Sequence, residues 1–140
     1  MKVMVDTCIS LDFIQQRQQF FNDAKDLFAA IADEKIEGYV SVKSLVDIHY
    51  VTKHILHDEA AVRAILQNLL SLLKLVDSRA DEASKALVSN INDYEDALMV
   101  QTAAANRIDY IVTRNVKDYK NSPVKAVSPA DMMAIIKDNS

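Results

Sequence analysis

The chain has 140 residues, of which 50% are apolar and 26% charged, and its formal net charge is -4. A chain of this length can bury a sizeable core as one compact domain, and its composition excludes the disordered, collagen-like and coiled-coil classes. The net negative charge excludes a protein that holds nucleic acid over its whole surface, so any contact with nucleic acid must be local.

The N-terminus and the single cysteine bear on where the protein acts. One Lys precedes the apolar run VMV, which is too short for a signal peptide, and no stretch approaches the ~20 apolar residues of a membrane span. Cys8 is the only cysteine and has no disulfide partner within the chain, which suits a reducing compartment. We therefore expect a soluble cytoplasmic protein with one domain over residues 1–140 and no membrane contact.

Short apolar runs alternate with helical patterns along the chain. The runs predict buried strands at 2–5 (KVMV), 39–42 (YVSV), 73–76 (LKLV), 110–113 (YIVT) and 125–127 (KAV). Helical spacing predicts helices over 9–14, 20–32, 45–56, 60–73, 80–88, 93–105 and 129–136, the last with Ser128 as N-cap and Pro129 in its first turn. Continuous strands, each followed by one or two helices, favour a parallel sheet covered on both faces. The predicted fold is α/β, a three-layer α/β/α sandwich with a central parallel sheet of four to five strands.

Acidic residues follow the first two predicted strands, where ligands bind in such folds. Asp6 comes directly after the first strand, and its simplest role is the N-cap of the helix over 9–14. Asp47 lies early in the helix after the second strand, where it could form a reciprocal cap with Ser44 or pair with Lys43. Each residue taken alone therefore has a structural explanation.

Asp96 is harder to explain by capping. It lies three and four residues before Met99 and Val100, which places it on an apolar stripe of its helix. A carboxylate that points inward needs a cation, a hydrogen-bond donor or a metal. Asp93 lies one turn earlier on the same side, although it could be a first-turn acid favoured by the helix dipole, and Glu95 is predicted to point elsewhere.

Polar residues also follow the fourth predicted strand, namely Thr113, Arg114, Asn115, Lys117 and Asp118, and they could be a solvated loop. The carboxyl ends of parallel strands can meet at one edge of the sheet, which would gather several carboxylates without a basic cluster between them. Such like charges repel and raise one another's pKa unless a divalent cation neutralises them. Carboxylate oxygens with few His and no Cys pairs favour a hard ion, Mg²⁺ or Mn²⁺.

Four stretches resemble, in order and spacing, the PIN domain: MVDTCISLDF, SVKSLVDIHYV, DYEDALMVQTAAAN and YIVTRNVKDYKNSP. The resemblance covers almost the whole chain. It is closest to the bacterial branch that contains the toxins of VapC-type toxin–antitoxin pairs.

The resemblance implies a metal-dependent endoribonuclease that hydrolyses phosphodiester bonds of single-stranded or structured RNA and leaves 5′-phosphate and 3′-hydroxyl ends. Asp6 and Asp96 match the two metal-binding aspartates of the family. Asp47 falls at the second acid, which is commonly Glu. The fourth acid falls on Asn115, which departs from the family pattern, and Asp118 could substitute for it through water. The implied catalytic residues are therefore Asp6, Asp47, Asp96 and Asp118.

The resemblance also implies supporting roles and partners. Residues that would orient the metal ligands or water are Thr7, Asp93, Thr113 and Asn115. Candidates to bind the RNA backbone locally are Lys43, Lys53, Arg114 and Lys117. Three tyrosines near the proposed cleft could stack on bases or serve as core or rim residues: Tyr50, Tyr94 and Tyr119. A toxin would have a cognate antitoxin that covers the cleft, and a homodimer could form through Val62, Ile65 and Leu69.

Other functions remain open. A phospho-acceptor receiver domain would use Asp6, Asp77, Thr113 and Lys125, but that fold needs paired acids after its first strand and a lysine that ends the fifth, whereas Lys125 begins it. A PIN-fold binding module that has lost catalysis would be compatible with Asn115. The hypothesis that His54 and His57 bind zinc has less support than a surface or core role, because no third ligand has a useful spacing. Cys8 lies beside a carboxylate that disfavours its thiolate, so we expect it to pack near the site.

Overall fold

The computed structural model describes all 140 residues, and its centre is one sheet of five parallel strands. The strands are β1 (Lys2–Val5), β2 (Glu37–Ser41), β3 (Lys74–Val76), β4 (Tyr110–Val112) and β5 (Lys125–Val127). Their order across the sheet is β3-β2-β1-β4-β5, and every neighbouring pair is parallel. The predicted α/β/α sandwich with a central parallel sheet is confirmed.

Seven α-helices cover the sheet: α1 (Thr7–Ile14), α2 (Phe21–Ala32), α3 (Val42–Leu56), α4 (Glu59–Leu70), α5 (Ala80–Leu87), α6 (Tyr94–Ala105) and α7 (Pro129–Asp138). A short 3-10 helix, Val116–Tyr119, follows β4. α3 begins at Val42, earlier than the predicted residue 45, because the Ser41 hydroxyl accepts a hydrogen bond from Ser44 N at 3.1 Å and caps the helix there. None of the helices combines the length and apolar character that a membrane span requires.

The two faces of the sheet carry separate apolar cores. In β1, Val3 and Val5 pack into the larger core, which contains side chains of α1, α2, α3, α4 and α7. Met4 points to the opposite face and joins the smaller core beneath α5 and α6. Alternate residues of a strand face opposite sides of a sheet, so a central strand covered on both sides reads as a continuous apolar run.

The face of α4 that was expected to form a homodimer is instead part of the larger core. Val62 and Leu69 are 0% and 3% exposed, and only Ile65 is partly accessible. The expectation of a dimer through this face was wrong. The amphipathic pattern of α4 identifies an apolar face, but sequence periodicity does not distinguish an interface within the chain from one between chains.

The order of the strands determines where polar side chains can meet. The chain runs from β1 outward to β3 and then returns to the other side of β1, so β1 lies between β2 and β4. Val5 pairs with Val112 at the carboxyl ends of β1 and β4. The residues that follow these two strands are therefore neighbours at the point where the strand order reverses, which is where open α/β sheets bind ligands.

Candidate active site

Asp6 lies at this reversal point, as the N-cap of α1. Its Oδ1 accepts a hydrogen bond from Thr7 N at 2.7 Å, and its Oδ2 accepts one from the hydroxyl of Thr113, also at 2.7 Å. Burial raises the pKa of Asp6 above its ordinary value, and the hydrogen bonds from Thr113 and Thr7 offset part of that effect. Asp6 is therefore both the cap that its position indicates and a carboxylate fixed by donors from two strand ends.

Asp96 lies in the first turn of α6 and faces Asp6. Asp93 is the N-cap of α6, and its Oδ2 accepts a hydrogen bond from Asp96 N at 3.0 Å. The hydroxyl of Tyr119 donates to Asp96 Oδ1 at 3.1 Å and lies 3.4 Å from Asp6 Oδ2. Burial, together with the negative charges of Asp6, Asp93 and Asp118, raises the pKa of Asp96 to about 6. Asp6 and Asp96, which come from distant parts of the sequence, are thus joined through one phenol.

Asp6 and Asp96 line a small pocket of about 130 Å³ at the carboxyl ends of β1 and β2, which we call the carboxylate pocket. Most of the side chains that line it are polar, and they include Thr7, Ser41, Lys43, Ser44, Asp47, Ser78 and Glu95. The hydroxyls of Thr7 and Ser44 lie 2.8 Å apart and share a hydrogen bond. The pocket therefore presents carboxylates, hydroxyls and one ammonium group to a ligand.

Asp47 and Glu95 both pair with Lys43 in this pocket. The Nζ of Lys43 forms an ion pair with Asp47 at 2.5 Å and with Glu95 at 3.4 Å. The pairing of Lys43 with Asp47, four residues apart on α3, was one of the two structural explanations for Asp47. Glu95 was expected to point elsewhere, and that was wrong because the N-terminus of α6 faces the pocket, so successive first-turn residues both reach it.

The predicted residues after β4 lie mostly outside the carboxylate pocket. The 3-10 helix directs Lys117 and Asp118 to an adjoining polar groove, which we call the lysine groove; it is lined by Asn90, Ile91, Asn92, Asp93, Lys117, Asp118, Lys120 and Asn121. Asn115 is exposed and lines a different cleft, although its backbone N–H donates to the Thr113 hydroxyl at 3.0 Å. Asp118 acts on Asp96 through its charge.

Two of the four predicted RNA-binding side chains are held in ion pairs elsewhere. Arg114 donates from Nε to Asp12 Oδ2 at 2.7 Å and stacks over Phe20, with 4.0 Å between its guanidinium carbon and the ring centroid. Lys53 pairs with Glu59 at 3.0 Å. Sequence reasoning did not single out Asp12, which looks like an ordinary polar residue of an amphipathic helix but is fully buried.

The alternative site chemistries receive less support from the structure. No three side chains among His, Cys, Asp and Glu form a cluster that could hold a metal ion by themselves, and the Nδ1 of His54 donates a hydrogen bond to Tyr50 O at 2.9 Å. Asp77 and Lys125 do not line the carboxylate pocket. Cys8 packs 3.8 Å from Asp6 Oδ2, and burial and the Asp6 charge raise the pKa of its thiol, which agrees with a packing role.

The donor set of the carboxylate pocket fits a hard divalent cation. Proteins bind Mg²⁺ through one or two carboxylates, while water supplies most other ligands. Asp6 and Asp96 provide two carboxylates within reach of one hydroxyl, and Oδ2 of Asp96 accepts no hydrogen bond from the protein. A cation there would also offset the like charges that raise the pKa of Asp96.

The raised pKa of Asp96 predicts how stability depends on pH in the presence of EDTA. Because its folded pKa of about 6 lies above the ordinary value of 3.8, the folded protein holds this proton more tightly than the unfolded chain. The resulting stabilisation is complete below 3.8 and is lost as the pH rises through 6. We expect urea unfolding to show a gain of about 1 kcal/mol in the free energy of unfolding on acidification, the full shift being reduced by solvent screening.

The Asp96→Asn variant isolates this effect from the titration of other carboxylates. Its free energy of unfolding should lack that gain, whereas Asp131→Asn, at an exposed position in the first turn of α7, should follow the wild-type profile. Parallel profiles for wild type and Asp96→Asn would contradict the raised pKa.

Comparison with known proteins agrees with this fold. The family model described as the PIN domain matches residues 2–117. The chain belongs to the PIN domain family, as the four sequence stretches predicted. No curated protein matches the chain.

Solved structures share the fold at low sequence identity. A chain of the DNA-bound VapBC from Salmonella typhimurium has a TM-score of 0.70 and 16% identity, with 92% of this chain and 98% of that chain covered. A chain of VapBC2 from Rickettsia felis, bound to a DNA fragment from its promoter, has a TM-score of 0.65 and 19% identity, with 91% of this chain and 98% of that chain covered. VapC20 from Mycobacterium tuberculosis, described as a sarcin–ricin loop cleaving toxin, has a TM-score of 0.62 and 19% identity, with 78% of this chain and 86% of that chain covered.

Proposed function

We propose that this chain is a Mg²⁺- or Mn²⁺-dependent endoribonuclease, the toxin of a VapC-type toxin–antitoxin pair that acts in the cytoplasm. The observation that carries the proposal is the meeting of Asp6 and Asp96 at the reversal point of the sheet, inside a pocket lined mainly by polar groups. Two carboxylates held together in this way are the oxygen ligands that Mg²⁺ and Mn²⁺ prefer.

The relatives support RNA as the substrate and an antitoxin as the partner. The M. tuberculosis neighbour is described as a toxin that cleaves the sarcin–ricin loop. Others are chains of VapBC complexes, and one from Klebsiella pneumoniae is described as a toxin–antitoxin complex, with 24% identity and a TM-score of 0.66. These likenesses support the toxin branch of the PIN family, in which a second copy of the chain would complete a homodimer.

Asp6 and Asp96 would hold the cation, and the other side chains of the pocket would position the RNA. A bound Mg²⁺ ion lowers the pKa of water and offsets negative charge that develops on phosphoryl oxygens. Thr113 fixes Asp6 by its hydrogen bond, so that the Asp6 carboxylate keeps one orientation. Lys43 would bind the phosphate next to the scissile bond, and Asp47 would hold Lys43 or accept a proton from the attacking water.

The lysine groove offers a path for the RNA strand beside the pocket. Lys117 and Lys120 are exposed and form no ion pair, although the protein as a whole is negatively charged. Their ammonium groups would bind backbone phosphates, as local basic side chains do in nucleic-acid complexes. Asp93 and Asp118 lie in the same groove, which limits its net charge and favours contact with a short stretch of RNA.

A second candidate is a PIN-fold module that binds RNA without cleaving it. The placement of Asn115 and Asp118 outside the carboxylate pocket favours this candidate, because the pocket then lacks the fourth acid of the family. Both functions predict RNA binding, but only the endoribonuclease predicts cleavage of the RNA.

Incubation of the purified protein with end-labelled structured RNA tests the proposal. We expect cleavage in Mg²⁺ or Mn²⁺, products with 5′-phosphate and 3′-hydroxyl ends, and no cleavage in EDTA. RNA binding without cleavage in either metal would favour the binding module, and cleavage that persists in EDTA would contradict the metal-dependent mechanism.

A further inference from the structure

Tyr119 is the last residue of the 3-10 helix after β4, and its side chain is 4% exposed. Such burial excludes the base-stacking role that its position in the sequence allowed. Its hydroxyl reaches three groups: Asp96 Oδ1 at 3.1 Å, Asp6 Oδ2 at 3.4 Å and Met99 Sδ at 3.6 Å. Two of these acceptors are the carboxylates proposed to bind the cation.

The two carboxylates depend on this hydroxyl to different degrees. Asp6 also accepts hydrogen bonds from Thr7 N and from the Thr113 hydroxyl, so its orientation is fixed without Tyr119. The carboxylate of Asp96 has no other donor in the protein, since Asp93 bonds to its backbone N–H. Loss of the phenol would therefore leave the Asp96 side chain free to rotate and to move away from Asp6.

The chemistry of a phenol suits this position. A buried tyrosine beside two negative charges keeps its proton, because burial and the charges of Asp6 and Asp96 raise its pKa. A neutral donor with one proton can hold the Asp96 carboxylate near Asp6 without forming an ion pair with either, unlike Lys or Arg. Oδ2 of Asp96 remains free of hydrogen bonds from the protein.

We propose that Tyr119 is a positioning residue for cation binding, whose hydroxyl holds the Asp96 carboxylate beside that of Asp6. This inference rests on the proposed function, since it concerns the same pair of carboxylates. Partners of this kind, which orient a metal ligand without touching the metal, typically change metal affinity about 10–100-fold when removed.

Isothermal titration calorimetry with Mn²⁺ and Mg²⁺ on wild type and Tyr119→Phe tests the proposal. We expect the dissociation constant of each cation to rise about 10–100-fold in the variant. The kcat of RNA cleavage should fall at a fixed cation concentration while the KM for RNA stays unchanged, because the phenol does not reach the RNA. Tyr39→Phe is the matched control, since its hydroxyl donates to Glu37 at the opposite end of the sheet.

The outcomes separate this inference from the proposed function. Equal cation affinity in wild type and Tyr119→Phe, with wild type still cleaving RNA, would overturn the role of Tyr119 and leave the nuclease intact. A wild-type protein that binds neither cation would overturn both.

A second measurement keeps the test decisive if far-UV circular dichroism shows that Tyr119→Phe does not fold. The wild-type protein labelled with ¹³C at the ζ carbon of its five tyrosines is then titrated with Mg²⁺. We expect one resonance, that of Tyr119, to shift strongly, because a bound cation offsets the negative charge of the two carboxylates that its hydroxyl contacts. Binding by calorimetry with no shift in any of the five signals would overturn the proposal.

Discussion

Replacement of Asp6 or Asp96 by Asn is expected to weaken Mg²⁺ and Mn²⁺ binding at least about 100-fold and RNA cleavage at least about 1,000-fold, since an amide oxygen carries no net charge with which to bind the cation or offset phosphoryl charge. Calorimetry and cleavage of labelled RNA measure the two effects. Each variant should still fold: Asn is a good N-cap at position 6, and loss of either charge relieves the repulsion that raises the pKa of Asp96.

Asp131→Asn provides the matched control for these variants. Asp131 is exposed at the start of α7 and lies outside the carboxylate pocket, so the same change of charge there should leave cation binding and cleavage as in the wild type. Full cation affinity in Asp6→Asn and Asp96→Asn would show that these carboxylates are caps and hydrogen-bond acceptors only. Loss of affinity in only one variant would contradict a site shared by the pair.

Replacement of Asp12 by Ala is expected to cost about 3–5 kcal/mol in the free energy of unfolding, measured by urea denaturation. The Asp12 side chain is 1% exposed and pairs with Arg114 at 2.7 Å and with Arg17 at 3.2 Å. Its removal leaves the Arg114 guanidinium, which stacks on Phe20, without its acceptor, whereas Arg17 keeps a hydrogen bond from Nε to Gln15 Oε1 at 2.9 Å. Breaking an ion-pair network around a buried carboxylate is among the few causes of losses this large.

Two further variants define the origin of this loss. Asp23→Ala on α2 removes an exposed carboxylate and should change stability by less than about 0.5 kcal/mol. Asp12→Asn keeps a hydrogen-bond acceptor but loses the charge, so its loss in the free energy of unfolding should lie between those of Asp12→Ala and Asp23→Ala. A loss below about 1 kcal/mol for Asp12→Ala would show that the arginines find water or other partners.

The ion pair of Asp12 with Arg114 also affects how basic residues near the site are interpreted. Arg114 follows β4 and was a candidate to bind RNA, but its guanidinium faces Asp12 on α1. This contact ties the segment after β4 to the helix that Asp6 caps. Lys117, three residues further on, is exposed in the lysine groove, forms no ion pair and stays a candidate to bind RNA.

Sequence alone determined the fold and indicated two of the carboxylates that line the carboxylate pocket, Asp6 and Asp96. Continuous apolar runs gave the strands of a sheet buried on both faces, and Ser128 and Pro129 marked the start of α7 correctly. The position of Asp96 on an apolar stripe indicated an inward carboxylate, and the structure places that side chain beside Asp6. These features are local, because strand and helix periods and capping residues are read within a few positions of the chain.

Only the tertiary structure decided which partners the polar groups meet. Glu95 enters the pocket, Arg114 turns to Asp12, and Tyr119 joins Asp6 to Asp96, although these two acids are far apart in the sequence. Such pairings follow from the order of the strands, which places β4 beside β1, and from the direction of each helix at the edge of the sheet. The order of the strands and the directions of the helices leave no local pattern in the sequence, because contacts between distant residues depend on the packing of the whole core.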